Sequence, residues 1–428
     1  MAGRVEEALA SIDAAAEGNA FTCVLAQEAR ETARILDERA RSGELMGRLY
    51  GASIAVKDIM AVSGQVVSAG TRAFKGRLAD RDAEVVRRLR AADGVVIGMT
   101  NLHALAYGPF STSSDSGPVR NPRRLDAVAG GSSGGSAAAL AMGAVDLAVG
   151  TDTAGSIRIP SALCAVVGLK GTYGEAPMTG VQPLAPSLDH VGPMARTVSD
   201  AALAWEVMSG ARLDPALNPR ESLEGVVVAD LGDAVRAGLD PPVRDGLEAA
   251  LAAAVRLGAR VRPVELPDLH RAPGVMLCTI GPEALEVHRT LLQHRASLLP
   301  ADVRLRLEAG AFVQAADYVR AQQLRARLSD QLSAALMVAD VVLLPTLPII
   351  APALDALEAT VSDGAWSTRA AMSRFTLLAN LTGHPALTIP WARDHSGAGI
   401  GVQLIGPRHG EGVLTGIAAA LEGGGGDG

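Results

Sequence analysis

Gly150-Thr151-Asp152-Thr153-Ala154-Gly155-Ser156-Ile157-Arg158-Ile159-Pro160 decides how the rest of this 428-residue chain is read. Small, flexible residues lead into one serine and then into a stiff Ile-Arg-Ile-Pro segment. A turn of that composition can leave the Ser156 hydroxyl bare while backbone N–H groups converge beside it. A nucleophile next to such an oxyanion hole is what acyl transfer requires. Outward from it, Gly130-Gly131-Ser132-Ser133-Gly134-Gly135-Ser136 lies upstream, and Ala55-Val56-Lys57-Asp58-Ile59 lies further back.

Around these blocks, apolar runs alternate with amphipathic stretches. Ile54–Ile59, Val95–Ile97, Ala144–Val149 and Val166–Leu169 read as strands, and Asp82–Ala92, Ala137–Met142 and Thr197–Met208 as helices. Later come strands at Val226–Ala229, Val261–Val264, Val341–Leu344, Ala386–Ile389 and Val402–Ile405. Helices are expected at Val243–Leu257, at Ala370–Asn380 and in a closing segment to Leu421. The pattern predicts an α/β fold with helices covering the sheet. We expect one domain over residues 1–422, with a helical layer at 1–45 and a catalytic core at 50–210. A mostly helical, lid-like segment is expected at 267–338, and a disordered glycine-rich tail at 423–428.

Composition narrows the function. Apolar residues make up 48% of the chain and aromatics only 3%, so a pocket built from this palette is aliphatic. The net charge of −7 and the scattered arginines give no basic stripe for nucleic acid. Cys23, Cys164 and Cys278 lie far apart without a CxxC pair, which fits a reduced cytoplasmic protein and neither a disulfide scaffold nor a metal site. Met1–Ala40 lacks the apolar core of a signal peptide. The longest apolar run, Val341–Ala353, carries three prolines and is too short to span a bilayer.

The blocks resemble the amidase signature family in their order along the chain. Besides those quoted, Asn121-Pro122, Gly168-Leu169-Lys170, Ser187-Leu188-Asp189-His190-Val191-Gly192-Pro193, Asn380-Leu381-Thr382-Gly383-His384-Pro385 and Gln403-Leu404-Ile405-Gly406-Pro407 carry the resemblance. It implies a mixed, twisted sheet and an amidase that cleaves the C–N bond of a small carboxamide without metal or cofactor. It also implies a triad of Ser156 as nucleophile, Ser132 (on a cis peptide bond) as proton relay, and Lys57 as base. The oxyanion hole would be the N–H groups of Thr153, Ala154, Gly155 and Ser156. Ser133, Asp152 and Arg158 would support the loop and triad, and a homodimer is compatible with the family. Two departures stand out: Ala154 where glycine is usual, and Gly171 where proline commonly follows Gly-Leu-Lys.

The chemistry sets a condition on Lys57. To act as a base it must be neutral, and bringing a lysine from about 10.4 to near 7 takes roughly 4–5 kcal/mol, which burial can supply. In a strand, Asp58 points to the face opposite Lys57 and need not contact it. An isolated Val-Lys-Asp would read as an ordinary strand end; two serine motifs following in order favour catalysis. For Ser133 and Asp152 the plain reading is loop solvation or capping. For Arg158 a structural ion pair with Asp152 is favoured over reading a substrate carboxylate.

Rival readings fare worse. Gly131-Ser132-Ser133-Gly134-Gly135 satisfies G-x-S-x-G, but residues 121–129 before it contain two arginines, an aspartate and a proline, and a nucleophile elbow needs a buried strand there. No Gly-Lys-Ser/Thr follows, which excludes a P-loop. His190 and His384 read as core or loop histidines. A glutamine-hydrolysing transamidase subunit remains an alternative, although His103-Ala104 stands where an acidic pair is expected in that subfamily. Acyl transfer to a nucleophile other than water is a further alternative, and an inactive scaffold is disfavoured by the presence of all three triad residues.

Overall fold

In this computed structural model, residues 1–213, 222–357, 360–361 and 366–424 are described. Eleven strands form one sheet in the spatial order Phe21–Val24, Val95–Thr100, Ser53–Lys57, Leu147–Asp152, His190–Ala195, Val167–Lys170, Ala386–Arg393, Gly399–Ile405, Val341–Pro345, Val227–Asp230 and Arg260–Pro263. Both pairing modes occur. Ser53–Lys57 runs parallel to its two neighbours, whereas Leu147–Asp152 pairs antiparallel with His190–Ala195.

The strand Ser53–Lys57 is buried on both faces, so its side chains divide by parity. Ile54 and Val56 join one apolar core and Ala55 joins the other. Helices Ala2–Ala14 and Ala26–Arg41 cover the second face, sending Val5, Leu9, Ile12 and Leu36 into it. The first face takes Val198–Ser209, Pro241–Arg256 and Glu411–Gly424. No described helix is long and apolar enough to cross a membrane.

Three expectations need correction, and one strand went unread. Residues 1–45 are not wholly helical, because Phe21–Val24 pairs with Val95–Thr100 at the sheet edge. His190–Ala195 is a central strand that the sequence hid, since Gly192 and Pro193 interrupt any strand pattern. The expected helix at Ala370–Asn380 is two short helices, Thr368–Ser373 and Leu377–Thr382. In the gap, Phe375 and Thr376 present their carbonyls to Gln403 and Arg158 instead of to the next helical turn. Finally, the closing helix includes Gly423 and Gly424; residues 425–428 of the expected tail lie outside the described residues.

Candidate active site

Parallel strands bring their carboxyl ends together, and Lys57 and Asp152 end two adjacent ones. Lys57 is fully buried. Its Nζ donates to Ser132 Oγ at 2.8 Å, Ser133 Oγ at 2.9 Å and Thr151 Oγ1 at 2.7 Å. Burial pushes its ammonium down to about 7, against the opposing pull of Asp152 and Asp189. Asp58 faces elsewhere: it accepts from Ser68 N–H at 2.9 Å, Ser68 Oγ at 2.5 Å and Thr22 Oγ1 at 2.8 Å.

The Gly/Ser loop carries a cis peptide bond between Gly131 and Ser132. Ser133 then donates its hydroxyl proton to Thr151 O at 3.1 Å, which fixes its oxygen as an acceptor for Lys57. The N–H of Ser133 donates to Ser156 O at 3.1 Å and ties the two serine loops together.

Asp152 organises the turn that bears Ser156. Its carboxylate accepts from Gly155 N–H at 2.8 Å and Ile157 N–H at 3.1 Å, and from Arg158 through Nε at 3.1 Å and Nη2 at 3.0 Å. Burial alone would raise this carboxyl, but the Arg158 guanidinium holds it well below the usual carboxylate range. Arg158 is fully buried, and it also donates to Gln403 Oε1 at 2.9 Å, Thr376 O at 2.9 Å and Asn380 Oδ1 at 2.6 Å. It is a structural residue, walled off from any ligand.

This geometry revises the expected oxyanion hole. Gly155 N–H is turned back to Asp152 and is not available to a carbonyl. Among the described residues, the N–H groups of Thr153, Ala154 and Ser156 donate to no protein atom, so three of the four expected donors remain. The Thr153 hydroxyl donates to Asp189 Oδ1 at 2.6 Å, and the other Asp189 oxygen accepts from Leu184 and Ala185 N–H. Burial raises the Asp189 carboxyl to about 6.

Both departures have local reasons. The left-handed backbone of this turn falls on Gly155, with φ of 120°, and not on Ala154. An alanine there needs no unusual conformation, and its carbonyl accepts from Thr376 Oγ1 at 2.6 Å. Gly171 makes room for the buried Trp205: a side-chain carbon at 171 would lie 1.9 Å from the indole.

Ser156 and Gly131 line a cavity of about 680 Å³. Its walls come from residues 106–109, from the 267–338 segment through Met276, Ile280 and Phe312, from Ser367, and from Ala370 and Leu377 on the broken helix. A groove of about 900 Å³ runs between Asp230–Ala234 and Pro263–His270, but none of Lys57, Ser132 and Ser156 lines it. The residues missed from sequence are Thr151, Thr376, Asp189, Asn380 and Gln403. All but Thr376 stood inside motif blocks, which was the available signal.

Comparison with known proteins identifies the family. The family model described as Amidase matches residues 4–414. An amidase of Pseudomonas putida is 39% identical over 87% of this chain and 81% of its own length. A glutamyl-tRNA(Gln) amidotransferase subunit from Anaeromyxobacter dehalogenans (strain 2CP-C) is 35% identical over 98% of this chain and 92% of its own length. Among solved structures, the crystal structure of an amidase superposes with a TM-score of 0.92 at 34% identity, covering 99% of this chain and 95% of that one. The fold and the match define an enzyme that acts on carbon–nitrogen bonds of amides. The chain belongs to the amidase (amidase signature) family.

Proposed function

We propose that this enzyme hydrolyses a small carboxamide through an acyl-Ser156 intermediate, with Ser132 relaying protons to and from Lys57. The observation that carries the reading is Lys57, fully buried, held near 7 and 2.8 Å from Ser132 Oγ. A neutral amine has two N–H donors and one lone pair. Ser133 is committed as an acceptor, so the lone pair must take a proton from the hydroxyl of Ser132 or Thr151. When Ser132 is the donor, its own oxygen is open to the Ser156 proton.

Attack by Ser156 Oγ on the carbonyl carbon then sends its proton to Ser132 and the Ser132 proton to Lys57. The N–H groups of Thr153, Ala154 and Ser156 take the developing oxyanion. Collapse of the tetrahedral intermediate breaks the C–N bond, and the proton returns by the same route to the leaving amine. Water repeats the cycle on the ester and releases the acid. The 267–338 segment serves as the substrate-facing roof, and three free thiols suit a cytoplasmic setting.

The test is ammonia release over a panel of primary amides, with Ser156→Ala as blank. Ser156-dependent release supports the reading, and equal release by the variant overturns it. A second reading rests on the amidotransferase relative: release from glutamine alone would favour a transamidase subunit that passes ammonia to a partner.

A further inference from the structure

We propose that the cavity selects amides that carry a carboxylate, which docks against Arg306 and Arg369; this rests on Ser156 being the amide-cleaving residue. The cavity walls are mostly aliphatic. Among the described residues, the charged side chains lining it are Arg306 and Arg369, and no acidic residue does so. A binding surface of that kind rejects cations and offers one place where an anion is better off than a neutral group.

The two guanidiniums are fixed by different elements. Arg306 belongs to the helix Ala301–Ala309 and lies over the Tyr107 ring at 5.2 Å. Arg369 belongs to Thr368–Ser373 and lies over the Phe110 ring at 5.0 Å. These ring contacts restrain both side chains before a ligand arrives, which lowers the ordering cost of binding.

Arg306 has donors to spare. Its Nη2 donates to Asp302 Oδ2 at 2.7 Å and sits 3.1 Å from His103 Nε2. Among the described residues, its buried Nε has no hydrogen-bond partner, and its Nη1 donates to no protein atom. His103 adds no charge, since burial pulls its imidazolium down to about 4. Burial and the neighbouring Arg369 pull Arg306 down to about 10, in the direction expected of a cation short of counter-charge.

A carboxylate answers this need better than a phosphate. Asp302 already supplies one carboxylate to Arg306 and lies 3.9 Å from Arg369, so a monoanion adds less like-charge repulsion than a near-dianion. A planar two-oxygen group also matches the two-pronged donor fork of a guanidinium. Arg158, locked to Asp152, leaves this role to the cavity wall.

The experiment compares succinamate with butyramide, and glutaramate with valeramide, in wild type and variants. The expected result is a kcat/KM ratio of at least about tenfold in favour of the carboxylate member, the scale of one charge-assisted hydrogen bond. Arg306→Gln should collapse that ratio mainly through KM, and Arg306→Lys should keep part of it. Because Arg306 also holds Asp302, Arg369→Gln gives a second reading should Arg306→Gln fold poorly. A ratio near one in wild type, or one unchanged in both glutamine variants, overturns the proposal. Calorimetry of the four amides on Ser156→Ala separates the two readings. Carboxylate-selective binding without wild-type turnover would sink hydrolysis and keep the docking site. Ser156-dependent turnover blind to the carboxylate would do the reverse.

Discussion

Lys57 and Lys170 are both fully buried at the ends of strands in one sheet, yet they keep different company. Lys57 is surrounded by three hydroxyls. Lys170 donates to His384 O at 2.7 Å and Gly171 O at 3.0 Å, and faces His190 Nε2 at 3.1 Å. His190 Nδ1 lies 2.7 Å from Leu188 O, which makes Nδ1 the protonated nitrogen and Nε2 an acceptor. Burial pushes both ammonium groups down. A hydroxyl can rotate and donate to a neutral amine, whereas a carbonyl cannot. The Lys57 site therefore offers a donor to the lone pair of a neutral amine and the Lys170 site offers none, so desolvation alone does not distinguish the two lysines.

The largest effect that could break this comparison is a pair of methionine substitutions. Lys57→Met should lower kcat/KM by about 10²–10⁴-fold, the range for a lost general base, while the protein stays folded. Lys170→Met should leave two carbonyls and a histidine nitrogen buried without a donor, at a cost of about 1–3 kcal/mol for each unsatisfied group, measured by denaturant unfolding. Two lysines that respond alike in both assays would end the distinction.

The pH dependence sharpens it. On the proposed mechanism Lys57 works as the neutral amine, so kcat/KM should rise as pH passes about 7 and then level off. Stability follows from the same shift. The folded-state value lies below the ordinary 10.5, so between about 7 and 10.5 the unfolded chain binds more protons at this group. The destabilisation due to Lys57 is thus absent above 10.5, grows as pH falls, and is complete below about 7. Unfolding of wild type and Lys57→Met should diverge in favour of the variant across that window. Parallel profiles would mean that Lys57 titrates normally.

Much of the base environment was legible in the sequence because it is local. Val56-Lys57-Asp58 ends a strand, and strand geometry sends Asp58 away from the amine, towards Ser68 and Thr22. The Gly/Ser run and the Ser156 turn were legible for the same reason. What escaped depends on partners distant in sequence. Asn380 and Gln403 reach Arg158 across 222 and 245 residues, and nothing in Ala370–Asn380 announces that Thr376 must leave the helix to receive that arginine. The Gly155 N–H was misassigned because an Asp three residues before it can claim it, and composition does not say which way such a turn faces. His190–Ala195 escaped because tertiary burial overrides the weak strand pattern of Gly192-Pro193.

The smallest expected effect probes the third hydroxyl around Lys57. Thr151→Val keeps the shape of the side chain and removes the acceptor 2.7 Å from Nζ. The neutral amine still donates to Ser133 and receives from Ser132, so a working base survives. The ammonium loses one of its three acceptors, and an unpaired buried N⁺–H costs more than an unpaired N–H on a neutral amine. The acid limb of kcat/KM should therefore move to lower pH, by about one unit for each 1.4 kcal/mol lost. The plateau should fall by less than about tenfold, because Ser132 and Ser156 are untouched. A limb that stays in place would show that Thr151, and not Ser132, turns its proton towards the lysine in the resting enzyme, since its loss would then penalise the neutral form as well.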